Sequence, residues 1–223
     1  MHRRSLLLAV AAGLASILIP ASAHAALYSP ALPGDALYVA NSNTGNSIVK
    51  FTPGGTGSVF ASSGLNDPHG LAFDSASNLY VANANNSTIE KFTPGGVGSV
   101  FASSGLNVPD SLAFDSAGNL YVTNQSGNTI TKFTPGGVGS VFASTGLNSP
   151  SGLAFDSAGN LYAANYSSNT IEEFSALGAD LGVFASSGMH NPIGLAFGPV
   201  PEPATLAVGL LCLGAGMASR RRA

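Results

Sequence analysis

A unit of about 41 residues recurs along this chain, and a repeat of that length limits the fold more than any single motif does. Phe51, Phe92, Phe133 and Phe174 are spaced 41, 41 and 41 residues apart. Phe73, Phe114, Phe155 and Phe197 follow at 41, 41 and 42, and Tyr38, Tyr80, Tyr121 and Tyr162 at 42, 41 and 41. Each copy breaks into four short apolar pieces. In the copy from 111 to 145 these are SLAFD, LYVTN, TITKFT and GSVFAS, designated a, b, c and d. Turn chemistry separates them: SAGN, in which Gly118 can take positive φ; a polar QSGN; and PGG, where Pro135 and Gly136 suit the centre of a type II turn. No piece sustains a helical period. Four short strands in about 41 residues is the pattern of a β-propeller blade.

The body opens on ALYVAN, a b piece, and closes on IGLAFG, an a piece. The order b-c-d, three full sets and a lone a gives sixteen strands. An all-β propeller of four four-stranded blades is predicted, with the last strand completing the first blade beside Leu37–Asn41. An open arc, or a ring completed by a second chain, is the alternative.

Charge placement narrows the partners. All five Arg lie at the ends, and residues 26–199 hold three Lys against seven Asp and three Glu. A nucleic-acid surface needs clustered cations, so that class of partner is excluded. The single Cys, Cys212, lies near the C-terminus. The body therefore has no disulfide and must be stabilised by packing.

Both termini read as addresses. MHRR followed by SLLLAVAAGLASILI, a break at Pro20 and then Ala23-x-Ala25 is the pattern of a secretory signal helix cut after Ala25 by signal peptidase. At the other end stand Val200-Pro201-Glu202-Pro203, an apolar run Ala204–Ser219, and Arg220-Arg221-Arg222. As a helix that run is ~24 Å long, a little under the hydrocarbon thickness of a bilayer. Arginines at its end favour the cytoplasmic side. The expected organisation is a signal peptide at 1–25, a linker at 26–34, the propeller at 35–199 and a sorting, membrane-spanning segment at 200–223.

The unit GLAFDSAGNLYVAN resembles the NHL repeat, over roughly residues 35 to 198, and that resemblance implies a propeller. The tail resembles a PEP-CTERM sorting signal. That implies an exosortase-type membrane protease as partner, retention at the inner membrane, and then delivery to the cell surface or outside, in bacteria that make exopolysaccharide. The repeat also resembles those of gluconolactonase-like and virginiamycin B lyase-like propellers. The former use a central divalent cation, but their acidic ligands find no matching motif here.

The recurring Asp74, Asp115 and Asp156 open the a–b turns and are expected to bind backbone N–H groups there. In one copy Ser77 replaces the turn glycine, and that turn is expected to be strained or shifted. The b-strand Asn41, Asn83, Asn124 and Asn165 are expected to tie blade to blade. The best site candidates lie where the repeats disagree, in the loops NDPHG, NVPDS, NSPSG and HNPIG. Their variable positions are Asp67, Val108, Ser149 and Asn191, then His69, Asp110, Ser151 and Ile193. Together with His190 they form a ligand-binding set of Asp67, His69, Asp110, Ser151 and His190. No catalytic residue and no cofactor is assigned. The expected role is a binding or structural component of the envelope or exopolysaccharide matrix, with a polysaccharide or surface protein as ligand. The alternative is a propeller hydrolase or lyase using a divalent cation with His69 and Asp110.

Overall fold

The structure, a computed structural model, describes residues 36–198. The expected signal helix with Ala23 and Ala25, and the sorting segment from Val200 to Arg222, lie outside the described residues.

Fifteen strands form one three-stranded and three four-stranded antiparallel sheets, and the described residues contain no helix. The first sheet is β1 (Leu37–Asn41), β2 (Ser47–Phe51) and β3 (Gly57–Ala61). The second is β4 (Pro68–Phe73), β5 (Leu79–Asn83), β6 (Thr88–Phe92) and β7 (Gly98–Ala102). The third is β8 (Pro109–Phe114), β9 (Leu120–Asn124), β10 (Thr129–Phe133) and β11 (Gly139–Ala143). The fourth is β12 (Pro150–Phe155), β13 (Leu161–Asn165), β14 (Thr170–Phe174) and β15 (Asp180–Ala185). Each sheet is a meander in sequence order. The a strands β4, β8 and β12 lie side by side around the axis. The fold is the four-blade, all-β propeller that the repeat predicts.

Strand chemistry follows position. The b strands LYVAN, LYVTN and LYAAN are β-formers. In the second to fourth blades all five of their residues are buried, because neighbouring blades cover both faces, the far face of the fourth being covered by Met189, Leu195 and Phe197. The core therefore lies between blades. Leu79, Val81 and Phe92 of the second blade pack with Ile48 and Ala61 of the first, and Leu120, Val122 and Phe133 of the third pack with Tyr80 and Ile89 of the second. Each b-strand Tyr is wedged edge-on between a Phe of its own blade and a Phe of the next. Tyr121, for example, has ring centroids 4.9 Å from Phe142 and 5.0 Å from Phe155. Each such pair adds about 0.5–1.5 kcal/mol beyond the area it buries.

The turns hold to their chemistry, with one difference. In the a–b turns the Asp115 carboxylate accepts from the Ala117 and Asn119 N–H groups at 2.9 and 2.8 Å, and Asp74 and Asp156 do the same. Ser77 sits at φ 63°, where Gly118 and Gly159 sit at 80° and 87°. A side chain is thus held in a left-handed conformation that glycine adopts without strain. The PGG turns are not type II. The Gly137 N–H closes onto the Thr134 carbonyl at 2.9 Å, and the positive φ falls on Gly137, not on Gly136. That extra left-handed residue lets Gly137 sit against the Phe101 carbonyl of the preceding blade, 3.0 Å from where a Cβ would be.

The closing strand is a correction. The first blade has three strands, and the last apolar run does not pair with β1. Residues 192–198 adopt no strand. Phe197 instead packs on Tyr162 at 5.0 Å, and Leu195 joins the Tyr162, Ala164 and Ile171 cluster. The run is seated on the flank of the fourth blade, where the inner strand of a further blade would lie. The place beside β1 is left without an inner strand.

Candidate functional site

One end of the propeller is built from the b–c loops and from the d–a loops that lead into the next inner strand. The b–c loops of one blade and the d–a loops after it are hydrogen-bonded together. Asn43 donates its N–H to Asp67 Oδ1 at 2.8 Å, and Asp67 donates its own N–H to Asn46 Oδ1 at 2.7 Å. The same link recurs from Ser149 to Asn128 and from Asn191 to Asn169. Every residue before the loop proline has positive φ: Asp67, Val108, Ser149 and Asn191. For Val108, a β-branched residue, that conformation is an outlier, and backbone strain of this kind gathers at functional surfaces.

Beneath these loops the buried strand-end asparagines fasten the loop that enters their own blade from the one before, rather than bonding one blade to the next directly. The Asn83 Oδ1 accepts from the Asn66 N–H at 3.1 Å while its Nδ2 donates to the Gly64 carbonyl at 2.9 Å. Asn124 and Asn165 repeat the arrangement. Asn41 bonds Ser47 instead.

The variable residues reach the axis through bulges. Between Pro68 and Leu71 the ladder slips, so that His69 and Gly70 together face Ala82. Asp110 and Ser111 form the same bulge on β8. Such an extra residue bends the strand and re-aims its side chain. Gly70 is needed here, because a Cβ would collide with the Asp110 carbonyl oxygen of the neighbouring inner strand.

Three of the five candidate residues come together. His69 Nδ1 lies 3.0 Å from Asp110 Oδ1, and His69 Nε2 lies 3.4 Å from Asp67 Oδ2. The ring therefore stands between two carboxylates, one at each nitrogen. Burial pushes the Asp110 carboxyl up, against the opposing pull of His69. Ser151 lies in the same cavity but is buried and committed: its Oγ donates to the Pro192 carbonyl at 2.8 Å. His190 does not join the group. It is exposed at the position that Asn66, Asn107 and Asn148 occupy in the other loops, one residue too early to reach the axis. Among the described residues no three His, Cys, Asp or Glu side chains are placed to hold a metal ion.

The cavity at this mouth measures about 520 Å³, and four of its lining residues come from the b–c side: Ala40, Ser42, Gln125 and Tyr166. Sequence reasoning missed Ser42, Gln125 and Tyr166. Their signal was a second point of disagreement between repeats, directly after the strand-end Asn, where Ser42, Ala84, Gln125 and Tyr166 stand in turn. Tyr166 is 40% exposed, and its backbone N–H is fixed to the Ser149 carbonyl at 3.1 Å.

The opposite face is repetitive. Lys91 and Lys132 lie over the rings of Tyr80 and Tyr121 at 5.1 Å and within 3.6 Å of Asp74 and Asp115. Burial would raise the Asp115 carboxyl, but its Asn119 and Ala117 donors and Lys132 outweigh that and hold it below the usual carboxylate range. In the fourth blade Glu173 replaces the lysine. Tyr162 donates to it at 2.8 Å, and this bond, with burial, pushes the phenol up to about 12.

Comparison with known proteins agrees with this architecture. The NHL repeat model matches residues 65–92, and the PEP-CTERM protein-sorting motif matches residues 199–222. No curated protein matches the chain. Among solved structures, one from a nidogen/laminin complex is similar, with 23% identity and a TM-score of 0.66 over 73% of this chain and 66% of that one. The virginiamycin B lyase of Staphylococcus aureus is similar at 18% identity and a TM-score of 0.60, over 68% of this chain and 53% of that one. A protein assigned to the gluconolactonases is similar at 19% identity and a TM-score of 0.59, over 67% and 60%. The chain thus spans between about half and two thirds of the length of each of these structures. Fold and repeat define an NHL-repeat-like β-propeller. Its PEP-CTERM motif marks it as an exported protein, anchored in the membrane at its C-terminus until an exosortase processes it.

Proposed function

We propose that this protein is a non-enzymatic glycan-binding component of the cell envelope or exopolysaccharide matrix, and that it binds through the mouth of its channel. The observation that carries this reading is the lining of the mouth: the half-exposed Tyr166 ring stands beside the neutral donors and acceptors of Ser42, Ser111 and Gln125. A sugar presents C–H faces that suit an aromatic ring, and hydroxyls that suit short polar side chains. His69 supports the reading, because both its nitrogens are engaged by carboxylates within the protein. Weak contacts of this kind gain avidity when many sites meet one polymer. The test is retention of the full chain on immobilised exopolysaccharide from the producing cells, with EDTA present. Retention is expected, and Tyr166→Ala should abolish it; no retention, or retention only with added divalent metal, would contradict the reading.

A second reading has one observation in its favour. His69 and Asp110, 3.0 Å apart with Asp110 pushed up, have the geometry of a base oriented by a second group. In that reading the site is a hydrolase or lyase centre using His69 and Asp110, and a divalent cation would have to rearrange these side chains to bind. Titration with Mg²⁺, Ca²⁺, Mn²⁺ and Zn²⁺ separates the two readings. A metal at 100 times its dissociation constant adds about 2.7 kcal/mol of stability, and the catalytic reading requires that gain to vanish in His69→Ala.

A further inference from the structure

Every blade boundary in this molecule uses the same parts. An inner-strand Phe lies on the Tyr of the blade before it, with centroids 5.0 Å apart at Phe73–Tyr38, Phe114–Tyr80 and Phe155–Tyr121. The d-strand Phe of one blade meets the c-strand Phe of the next, as in Phe60–Phe92 at 6.1 Å and Phe101–Phe133 at 6.0 Å. The left-handed turn glycine of the next blade sits on the carbonyl of that d-strand Phe, as Gly96 does on Phe60 and Gly137 on Phe101.

The two ends of the described structure each hold one half of this boundary. At the far end Phe197 already lies on Tyr162 at 5.0 Å, and a Cβ on Gly152 would meet the Ile193 carbonyl at 2.8 Å, so the segment 192–197 occupies an inner-strand seat. Its outer side is bare: Phe197 is 53% exposed, and the d-strand Phe184 is 60% exposed with no c-strand Phe against it. At the near end, the first blade lacks an inner strand. Leu37 and Val39 are 65% and 37% exposed, whereas their counterparts Leu79 and Val81 are fully buried. Gly55, the counterpart of Gly96, has nothing within 4 Å. Both faces are uncharged at these positions and complementary in shape by the repeat itself.

We infer that two copies of this chain close one ring around a twofold axis along the channel. The 192–197 segment of each copy supplies the inner strand of the partner's first blade, beside β1, and Phe184 of each docks on the Phe51 and Gly55 region of the partner. The register follows from β4 on β5, where Leu71 faces Val81 and Phe73 faces Leu79; in the ring Leu195 faces the partner's Val39, and Phe197 faces the partner's Leu37. The result is eight four-stranded blades, within the range of known propellers, and a cyclic assembly with no bare blade flank. The occupant is a second copy because the chain's own far end is already seated on Tyr162 and does not reach β1.

Cross-linking tests this directly in the full chain carrying Cys212→Ser. Two differently tagged copies, one with Val39→Cys and one with Leu195→Cys, are co-expressed and oxidised in the membrane. A chain bearing both substitutions is oxidised in parallel, and one bearing Leu71→Cys with Val81→Cys serves as the interior control. A doubly tagged disulfide-linked pair is expected, and a product limited to two copies from the chain carrying both. A one-copy, internally linked product from that chain, a ladder beyond two copies, or no link where the interior control forms one would each overturn the proposal. Light scattering of the unsubstituted chain in detergent gives a second reading. Two copies per particle are expected, falling to one in Phe184→Asp; one copy per particle in the unsubstituted chain would overturn the proposal.

Discussion

The two faces of the propeller are made from the same repeat and treat it in opposite ways. On the face of the a–b and c–d turns, the copies agree: Asp, Asn and Tyr recur at each a–b turn, and a lysine joins them in the second and third blades. Their hydrogen bonds are satisfied within each copy. On the face of the b–c and d–a loops, the copies keep the proline and the strand-end Asn but change the residues between, which are the residues that bulges turn toward the axis. One face carries stability and the other carries chemical individuality. Four predictions break or sharpen that contrast.

The largest effect should come from the repeated face. The Asp115 carboxylate accepts from two backbone N–H groups and the Asn119 amide, so Asp115→Ala leaves several donors without their acceptor. A loss of about 2 kcal/mol is expected, read as a fall in Tm of roughly 4–8 °C. A Tm within a degree of the parent would show that the repeated turns contribute little.

Next comes pH. Glu172 in β14 is buried beside Asp180, and burial, with that neighbour, pushes its carboxyl up to about 7 from an ordinary 4.5. The folded form then holds a proton that the unfolded form has released, so stability falls as pH rises from about 4.5 to about 7 and is level above. Glu172→Thr, which copies Thr131 of the third blade, should reduce that slope, leaving the part due to Glu90 and Asp110, whose carboxyls burial also pushes up. The lowered carboxyls of Asp74 and Asp115 act with the opposite sign: their contribution is present above the ordinary value of 3.8 and is lost as pH falls through their lower folded values. Tm should therefore peak on the acid side of neutrality. A flat Tm between pH 4.5 and 7, or the same slope in Glu172→Thr, would contradict this.

Strain gives the third effect. Ser77→Gly and Val108→Asn each place a residue that tolerates positive φ where one that resists it now stands. Each should raise stability by about 1 kcal/mol. Ser77→Gly should leave ligand retention unchanged, because Ser77 is on the repeated face. A fall in Tm in either variant would remove the strain argument.

The repeat made the fold legible. Period, turn residues and strand lengths are local signals, and the structure keeps each of them apart from the PGG turn, where the left-handed residue falls one place later. Closure was not legible, because it depends on how far the stacked blades turn about the axis, which no local signal records; the last run takes its seat on the fourth blade without meeting β1. At the site, His69, Asp67 and Asp110 were visible as disagreements between copies. The exclusion of His190 and the commitment of Ser151 to the Pro192 carbonyl were not, since a one-residue offset and a single hydrogen bond leave no mark in residue type. Tyr166 was hidden because it follows a repeated Asn, in a loop that reads as ordinary polar connector.

The smallest stability effect is expected at the mouth: Tyr166→Ala should change stability by under about 0.5 kcal/mol, as surface substitutions usually do. Measuring Tm and polysaccharide retention together for Tyr166→Ala and Asp115→Ala tests the division between the faces most directly. The account predicts that Tyr166→Ala melts with the parent but is not retained, and that Asp115→Ala melts early but is retained while folded. A Tyr166→Ala chain that is retained as the parent is, or an Asp115→Ala chain that loses retention below its melting range, would contradict it.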